Sequence, residues 1–268
     1  MEILNLLSIA MSNYDNFHSH IASDIGIDNN YLEPNSIKSQ VYLDNIAAWT
    51  NKQEMKLNCD KTKYMIFNPS RKYQFNTRLQ IENQKIEQVH ETKLLGVILR
   101  DDFSFKSNTR CITKRAYRRM SILKNLYHFN LPLSEMLEIY TLYIRSVVEQ
   151  AAVVWHSSIT KGEELDLERV QKVALRIMLK DQYISYTHAL RLTGMPTLKE
   201  RRKKLCLNFA KNCVKNNKTS DMFPKNAVIV NTRQPEEYFV PHAKTDRLAR
   251  SAIPYMARLL NASVKRMT

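Results

Sequence analysis

The sequence contains few glycines and no long apolar run. Only four glycines occur among the 268 residues. A chain poor in glycine but rich in leucine, lysine and arginine favours helices over a strand-rich sandwich. No stretch of about 18 apolar residues is present, so we expect no membrane span and no membrane partner. The apolar start has neither a basic segment nor a small-residue cleavage site, which argues against a secretory signal.

Cysteines are also scarce. The four of them, Cys59, Cys111, Cys206 and Cys213, form no C-x-x-C pair, and no histidine stands at a metal-ligand spacing from one of them. We therefore predict reduced thiols and no zinc site. Reduced thiols indicate an intracellular protein, and the choice between nuclear and cytoplasmic stays open.

The charge of the chain is strongly positive and unevenly distributed. The 41 lysines and arginines exceed the 26 acidic residues, which gives a net charge of +15. Residues 1–48 hold one basic and six acidic residues, so residues 49–268 hold 40 basic and 20 acidic ones. Such an excess attracts a polyanion, most commonly nucleic acid. A basic surface that serves only solubility is the alternative.

The pattern of the N-terminal part of the sequence predicts helices followed by short strands. A short apolar helix over 2–11 and a polar linker over 12–37 precede a helix over 39–55, whose Tyr42, Ile46 and Trp49 share one apolar stripe. Strands are predicted at Thr62–Phe67, Phe75–Ile81, Lys85–Val89 and Lys93–Leu99, with a turn at Asn83-Gln84 and a glycine, Gly96, inside the last strand.

Behind Asp101 the apolar period changes from two residues to that of a helix. Ser134 is a candidate N-cap, Thr160 with Glu163 and Thr197 with Glu200 form capping boxes, and Gly194 ends a helix. Helices are predicted over 106–128, 134–154, 161–180, 184–192, 198–216 and 253–265. The predicted class is α+β, with a small antiparallel β-hairpin region, a boundary near residue 105 and an all-α helical bundle behind it.

Three stretches of sequence carry a family resemblance. Residues 49–67 read WTNKQEMKLNCDKTKYMIF, residues 93–105 read KLLGVILRDDFSF, and residues 147–159 read VVEQAAVVWHSSI, followed by LERVQKVALRI at 167–177. This succession resembles the C-terminal half of the reverse transcriptases of non-LTR retrotransposons, which are RNA-directed DNA polymerases of transposable elements. The stretches correspond to the LN-x-x-KT signature, the LG-[VI] primer grip and the V-W and L-E-x-x-Q-x-x-A-L-R helices of the thumb.

The resemblance implies a division of the chain into four parts. Residues 1–48 would form an N-terminal helix and linker, and residues 49–105 the palm edge with the primer grip. Residues 106–216 would form the helical thumb, and residues 217–268 an irregular segment with a C-terminal helix.

The resemblance also implies what this sequence does not carry. In the family, a Y/F-x-D-D turn with two catalytic aspartates precedes a helix like the one predicted over 2–11, and this sequence begins at that helix. Its only Asp-Asp pair, Asp101-Asp102, follows the LGV strand, where we expect it to end a strand or begin a turn. Two-metal phosphoryl transfer needs carboxylates that hold both ions. We therefore expect no cofactor and no polymerisation from this chain alone, and Mg²⁺ only in the intact parent enzyme.

Candidate nucleic-acid contacts in the palm edge follow from the resemblance. They are Lys61, Lys63, Lys93 and Gly96. Lys61 matches the lysine of the KT signature, near the leaving pyrophosphate, and Gly96 would let the primer backbone approach closely. A solvated lysine and a bulge in the hairpin are the respective alternatives.

Candidates in the thumb follow from spacing and charge. The first predicted thumb helix has one basic row at Lys106, Arg110, Lys114 and Arg118 and a second at Arg115 and Arg119, without an intervening acid. Such rows can lie along the phosphates of an RNA/DNA duplex. Arg201 and Arg202 begin a compact run with Lys203 and Lys204 that would contact phosphate or act as a nuclear import signal. A solvated helix face is the alternative for both sets.

Three functional hypotheses remain open on the sequence. In the first, the chain is a reverse-transcriptase fragment with residual duplex binding. In the second, it is a regulatory protein that binds a partner through an uncovered apolar face of 134–154. In the third, it is a truncated gene model of an active enzyme. An in-frame F-x-D-D in the DNA just upstream would identify the last.

Overall fold

The computed structural model describes residues 33–55, 57–67, 78–226 and 236–264. Helices dominate these residues and short strand pairs accompany them, so the α+β class is confirmed. The chain divides into two compact units, Met1–Phe103 and Ser104–Thr268. The helix predicted over 2–11 lies outside the described residues. None of the helices in the described part combines the length and apolar character that crossing a bilayer requires.

The first unit contains helix α1, Glu33–Lys52, which begins earlier than the predicted 39–55. The side-chain amide of Gln40 donates to the backbone oxygen of Gln80 at 2.8 Å and accepts from its N–H at 3.0 Å, as a neighbouring strand would. Ile46 and Trp49, two members of the predicted apolar stripe, are 52% and 57% exposed. Helical spacing fixes which side chains share a face, and burial of that face needs a neighbour.

Two hairpins follow α1. Strands β2 (Gln80–Ile81) and β3 (Gln84–Lys85) pair across Glu82 and Asn83, one residue before the predicted turn. The two turn residues have φ of 48° and 66°, the sign that a type I′ turn requires at both central positions.

The second hairpin replaces the single strand predicted over Lys93–Leu99. Strands β5 (Glu91–Leu94) and β6 (Val97–Arg100) pair antiparallel around Leu95-Gly96. Both turn residues have positive φ, 49° and 87°. The single-strand prediction is wrong because Gly96 is a turn residue and not a bulge inside a strand.

The first unit also contains one pair of parallel strands. Strand β1 (Lys63–Tyr64) pairs with β4 (Glu87–Gln88), so the strands predicted at Thr62–Phe67 and Lys85–Val89 are much shorter than expected. Residues 75–77 of a further predicted strand lie outside the described residues. The small apolar centre of the unit is formed by Ile81, Ile86 and Val97, which are all buried.

Helices α2 (Lys106–His128) and α6 (Lys161–Leu179) form the centre of the second unit, and both predictions are confirmed. They run in the same direction. Near their first turns, Thr109 Oγ1 donates to Glu163 Oε1 at 3.0 Å. At the other end, Lys180 Nζ lies 3.4 Å from the ring centre of Tyr127. The two helices bury an apolar seam formed by Ile112, Ala116, Met120, Leu123, Leu167, Val170 and Ala174.

The helix predicted over 134–154 is interrupted. It consists of α3 (Leu133–Ile139), a π-helical segment (Tyr140–Arg145), α4 (Ser146–Glu149) and α5 (Ala152–Trp155). The N-cap is Pro132 and not Ser134. At the break Ala151 has a φ of +49°, and Trp155 Nε1 donates to the Gln150 carbonyl at 3.0 Å. The break lacks the glycine or proline that would reveal it in a sequence.

The remaining helices agree with the predictions. They are α7 (Tyr186–Thr193), α8 (Leu198–Lys215) and α10 (Ala252–Val264), with a short unpredicted α9 (Asp246–Ala249). Both predicted capping boxes are present, at Thr160 with Glu163 and at Thr197 with Glu200. Gly194 ends α7 with a φ of +66°, the left-handed conformation that glycine adopts without strain.

Helices α8 and α10 enclose a second apolar cluster that includes Cys206, Cys213, Phe223, Tyr238 and Met256. The side-chain amide of Asn261 donates to the Tyr238 carbonyl and accepts from its N–H, both at 2.9 Å. The described part of the predicted irregular segment thus reaches the core through Tyr238 and contains a 3-10 turn, Ser220–Met222.

Candidate nucleic-acid interface

The first basic row of α2 is exposed along its whole length. Lys106, Arg110, Lys114 and Arg118 are spaced four residues apart, and all four are exposed. At about 100° per residue they cover roughly 120° of the helix surface, and four residues advance about 6 Å along the axis. Every charged residue of α2 is a lysine or arginine.

These four cations also have no acidic partner in the described part of the chain. The ion pairs there involve other lysines and arginines. An exposed cation without a nearby carboxylate keeps its full attraction for an external anion. The first row therefore presents an uncompensated positive strip about 18 Å long, since its ends are twelve residues apart.

The second row contacts protein instead of solvent. Arg115 Nη1 donates to Gln150 Oε1 at 3.1 Å. Arg119 Nη1 donates to the Tyr143 carbonyl at 2.6 Å, and its guanidinium lies 4.4 Å from the centre of the Tyr143 ring. Both arginines are only partly exposed. They fasten α2 to the interrupted helix, so the structure does not bring them into the exposed row.

The palm-edge candidates lie in the first unit. Lys61 is exposed in a turn, with its backbone N–H donating to Asn58 Oδ1 at 3.1 Å. Lys63 Nζ pairs with Glu87 across the parallel strands at 2.8 Å. Lys93 is exposed on β5, and Gly96 occupies the hairpin turn. The hairpin geometry accounts for Gly96 without any ligand, and the ion pair neutralises Lys63.

The basic run on α8 is divided between surface and core. Lys203 and Lys204 are exposed. Arg201 forms two hydrogen bonds with the Glu149 carboxylate, both at 3.0 Å, which raise the pKa of the arginine. Arg202 is fully buried, so the expectation that it belongs to an exposed phosphate-binding patch is wrong.

Arg202 is held among aromatic groups. Its Nε donates to His156 Nδ1 at 3.2 Å, and its guanidinium lies 5.9 Å from the centre of the Trp155 ring. Because Nδ1 accepts, the imidazole proton belongs on Nε2, 3.4 Å from the Tyr255 hydroxyl. Burial lowers the pKa of Arg202, against the opposing effect of Glu168. Burial and the Arg202 charge lower the pKa of His156 to about 4.

A polar network fixes α8 to α6 beside this arginine. Glu168 accepts the backbone N–H groups of Leu198 and Lys199, at 3.0 and 3.3 Å, and a short hydrogen bond from the Tyr186 hydroxyl. The carboxylate stands at the positive end of the α8 dipole. This arrangement explains why the first turn of α8 lies against α6.

Asp101 and Asp102 follow the end of β6, as predicted for a strand end or turn. Asp101 Oδ2 lies 2.7 Å from His90 Nδ1, and Asp102 Oδ1 accepts from Arg100 Nε at 3.3 Å. Among the described residues, no group of three or more histidine, cysteine or acidic side chains could hold a metal ion.

The apolar face of the interrupted helix is covered. Tyr140, Ile144 and Val148 have no exposed surface: α2 packs against the π-helical segment and α4, and the Tyr140 hydroxyl donates to Gln171 Oε1 of α6 at 2.9 Å. The expectation of an uncovered apolar face on these residues is therefore wrong. Leu142 and Tyr143, on the other side of the helix, are 67% and 44% exposed.

Sequence reasoning missed one aromatic residue in the basic row. Tyr117 is 37% exposed, and at about 100° per residue it falls between Lys106 and Arg110 around the helix axis. Across the seam, Arg169 of α6 pairs with Asp166 at 2.9 Å. Plotting α2 on a helical wheel would have revealed Tyr117 among the cations.

Comparisons with protein-family models, curated proteins and solved structures found no match to this chain.

Proposed function

We propose that this chain binds nucleic acid through the exposed basic row of α2, and that it derives from the palm edge and thumb of a non-LTR retrotransposon reverse transcriptase. The observation that supports binding is the row of Lys106, Arg110, Lys114 and Arg118, which is exposed and unopposed by any acid of its helix. Binding of this kind is electrostatic and independent of base sequence, because the cations meet phosphates.

The rigidity of α2 favours this use of the row. Its inner face is buried against α6, Thr109 is hydrogen-bonded to Glu163, and Arg119 is held on Tyr143. Because these contacts hold the helix to α6 and to the π-helical segment, its outer cations lose only side-chain freedom on binding, which reduces the entropic cost. A primer–template, the ligand of the proposed parent enzyme, is the first nucleic acid to test.

The proposed origin depends on the order and spacing of the LN-x-x-KT, LGV and thumb motifs. We expect no DNA synthesis from this chain alone, because its sequence contains no F-x-D-D turn and two-metal catalysis needs such carboxylates. Reading the genomic DNA just upstream tests the origin. An in-frame F-x-D-D supports it, and an unrelated complete gene ending there contradicts it.

Binding is tested with two variants of equal charge. The row variant replaces Lys106, Arg110, Lys114 and Arg118 by glutamine. The control variant replaces four exposed lysines of α8 by glutamine: Lys203, Lys204, Lys211 and Lys215. We expect the row variant to bind primer–template about 100-fold or more weakly in low salt, and the control variant to bind within about threefold of the wild type. Equal losses in both would show only a general charge effect and contradict the proposal.

A further inference from the structure

Tyr117 occupies an unusual position for an aromatic residue. It lies near the C-terminal end and at one edge of the acid-free basic row of α2, with Lys114 three residues before it and Arg118 directly after it. More than a third of its surface is exposed. Residues three apart on a helix are neighbours on its surface, so Lys114 lies beside Tyr117.

Tyr117 lies on the side of α2 toward Asp166 and Arg169 of α6. Burial raises the pKa of Tyr117, Arg169 opposes the shift, and Asp166 adds to it. The surface of Tyr117 that an incoming group can contact is the exposed 37% of the residue.

We propose that the Tyr117 ring stacks on an unpaired nucleobase whose flanking phosphates are held by the basic row. This inference depends on the proposed function and specifies its ligand as nucleic acid with unpaired bases. A base and an aromatic ring stack through their π faces whatever the base identity, and cations beside the ring hold the backbone.

Duplex alone does not meet this requirement. In a duplex the base faces are stacked on one another, and only edges are accessible in the grooves. A ring on the outer face of a helix reaches a base face only where the strand is single or where a base next to a duplex end is unpaired. The site thus takes a single strand or the unpaired nucleotides beside a duplex.

Another exposed tyrosine of the same unit lacks this arrangement. Tyr143 is 44% exposed, but the Arg119 guanidinium already covers its ring at 4.4 Å from the ring centre. A guanidinium on one face competes with a base for that face. Tyr143 therefore provides a matched control: an exposed tyrosine near the row whose ring is occupied.

The test compares Tyr117→Ala, Tyr117→Leu, Tyr117→Phe and Tyr143→Leu on two ligands. One ligand is an oligothymidylate, and the other is a strand of equal length whose sugars carry no bases. We expect Tyr117→Ala and Tyr117→Leu to weaken oligothymidylate binding roughly 5- to 150-fold, the effect of losing one base–aromatic stack. Tyr117→Phe and Tyr143→Leu should stay within about twofold of the wild type, and on the base-free strand all five proteins should bind alike.

Each outcome is decisive. Tyr117→Leu keeps apolar volume against α6, so it answers the question if the alanine variant unfolds. Oligothymidylate binding unaffected by Tyr117→Leu, or an equal loss on the base-free strand, would overturn the stacking role. If the row variant still loses binding in that case, phosphate binding by α2 stands and only the stacking inference fails. If the row variant binds like the wild type, the proposed function itself fails.

Discussion

Arg202 Nε donates a hydrogen bond to His156 Nδ1 at 3.2 Å inside the helical unit, where both side chains are almost fully buried. The bond requires a neutral imidazole, because a protonated histidine has no acceptor to offer a guanidinium. The pair therefore links the stability of the unit to pH, independently of any ligand.

Acid should destabilise the protein through His156. Its pKa is about 4 in the folded state, against 6.5 for an ordinary histidine. Between these values the unfolded chain binds more protons, so the free energy of unfolding falls as the pH falls from about 6.5 to 4. The loss is of the order of 3 kcal/mol.

Denaturant titrations at a series of pH values measure this effect. In His156→Gln, whose amide oxygen can still accept from Arg202, this part of the pH dependence should disappear. The difference between wild type and variant isolates His156 from the carboxylates. Parallel curves between pH 4 and 6.5 would contradict the prediction.

Removing the buried arginine should cost less than removing its acidic neighbour. Arg202→Met removes a buried charge whose Nη1 and Nη2 have no hydrogen-bond partner among the described residues, but it also takes the donor from His156 Nδ1, so we expect a cost of about 1 to 2 kcal/mol. Glu168→Ala deprives three donors, the Leu198 and Lys199 N–H groups and the Tyr186 hydroxyl, of their acceptor. We expect it to cost about 3 kcal/mol or more. Chemical denaturation of both variants decides this, and the opposite order would contradict the assigned roles.

The helix break at Ala151 should respond to glycine. Ala151 has a φ of +49°, a conformation that costs a non-glycine residue about 1 kcal/mol. Glycine relieves this strain in the folded state but also increases the conformational entropy of the unfolded chain, and the first effect is slightly larger. We therefore expect Ala151→Gly to raise the free energy of unfolding by up to about 0.5 kcal/mol. Ala151→Val should lower it by more than 1 kcal/mol, because a β-branched residue fits this conformation poorly. Thermal unfolding of the pair measures both, and equal melting temperatures would contradict the left-handed conformation.

The apolar period and capping boxes were sufficient to predict most of the helical unit. The extent of α2 follows from its apolar period, and the start of α8 at Leu198 follows from the capping box of Thr197 and Glu200. The break near Ala151 and the turn at Leu95-Gly96 were missed: alanine rarely adopts a positive φ, and a single glycine within an apolar run suits a strand or a turn equally. Tertiary packing decides such cases.

The candidate site was predictable to a different extent. Four-residue spacing places the α2 row on one face, and its exposure follows from the burial of the opposite face against α6. Burial of Arg202 was hidden by its basic neighbours, although it shares the stripe of Leu198, Cys206 and Ala210, which are all buried. The helical spacing of these apolar residues predicts the burial of Arg202 better than the run of charges does. The aliphatic part of an arginine side chain packs among apolar groups when its guanidinium forms a hydrogen bond.

The salt dependence of binding tests most directly whether the α2 row contacts phosphates. Affinity for a short DNA duplex with a single-stranded overhang would be measured from low to physiological salt for the wild type, the row variant and the control variant. The logarithm of affinity should fall linearly with the logarithm of salt concentration. The row variant should have a slope smaller by roughly 3 to 4, since each phosphate contact contributes about 0.9, and the control variant should keep the wild-type slope. Identical slopes in the wild type and the row variant would contradict the account.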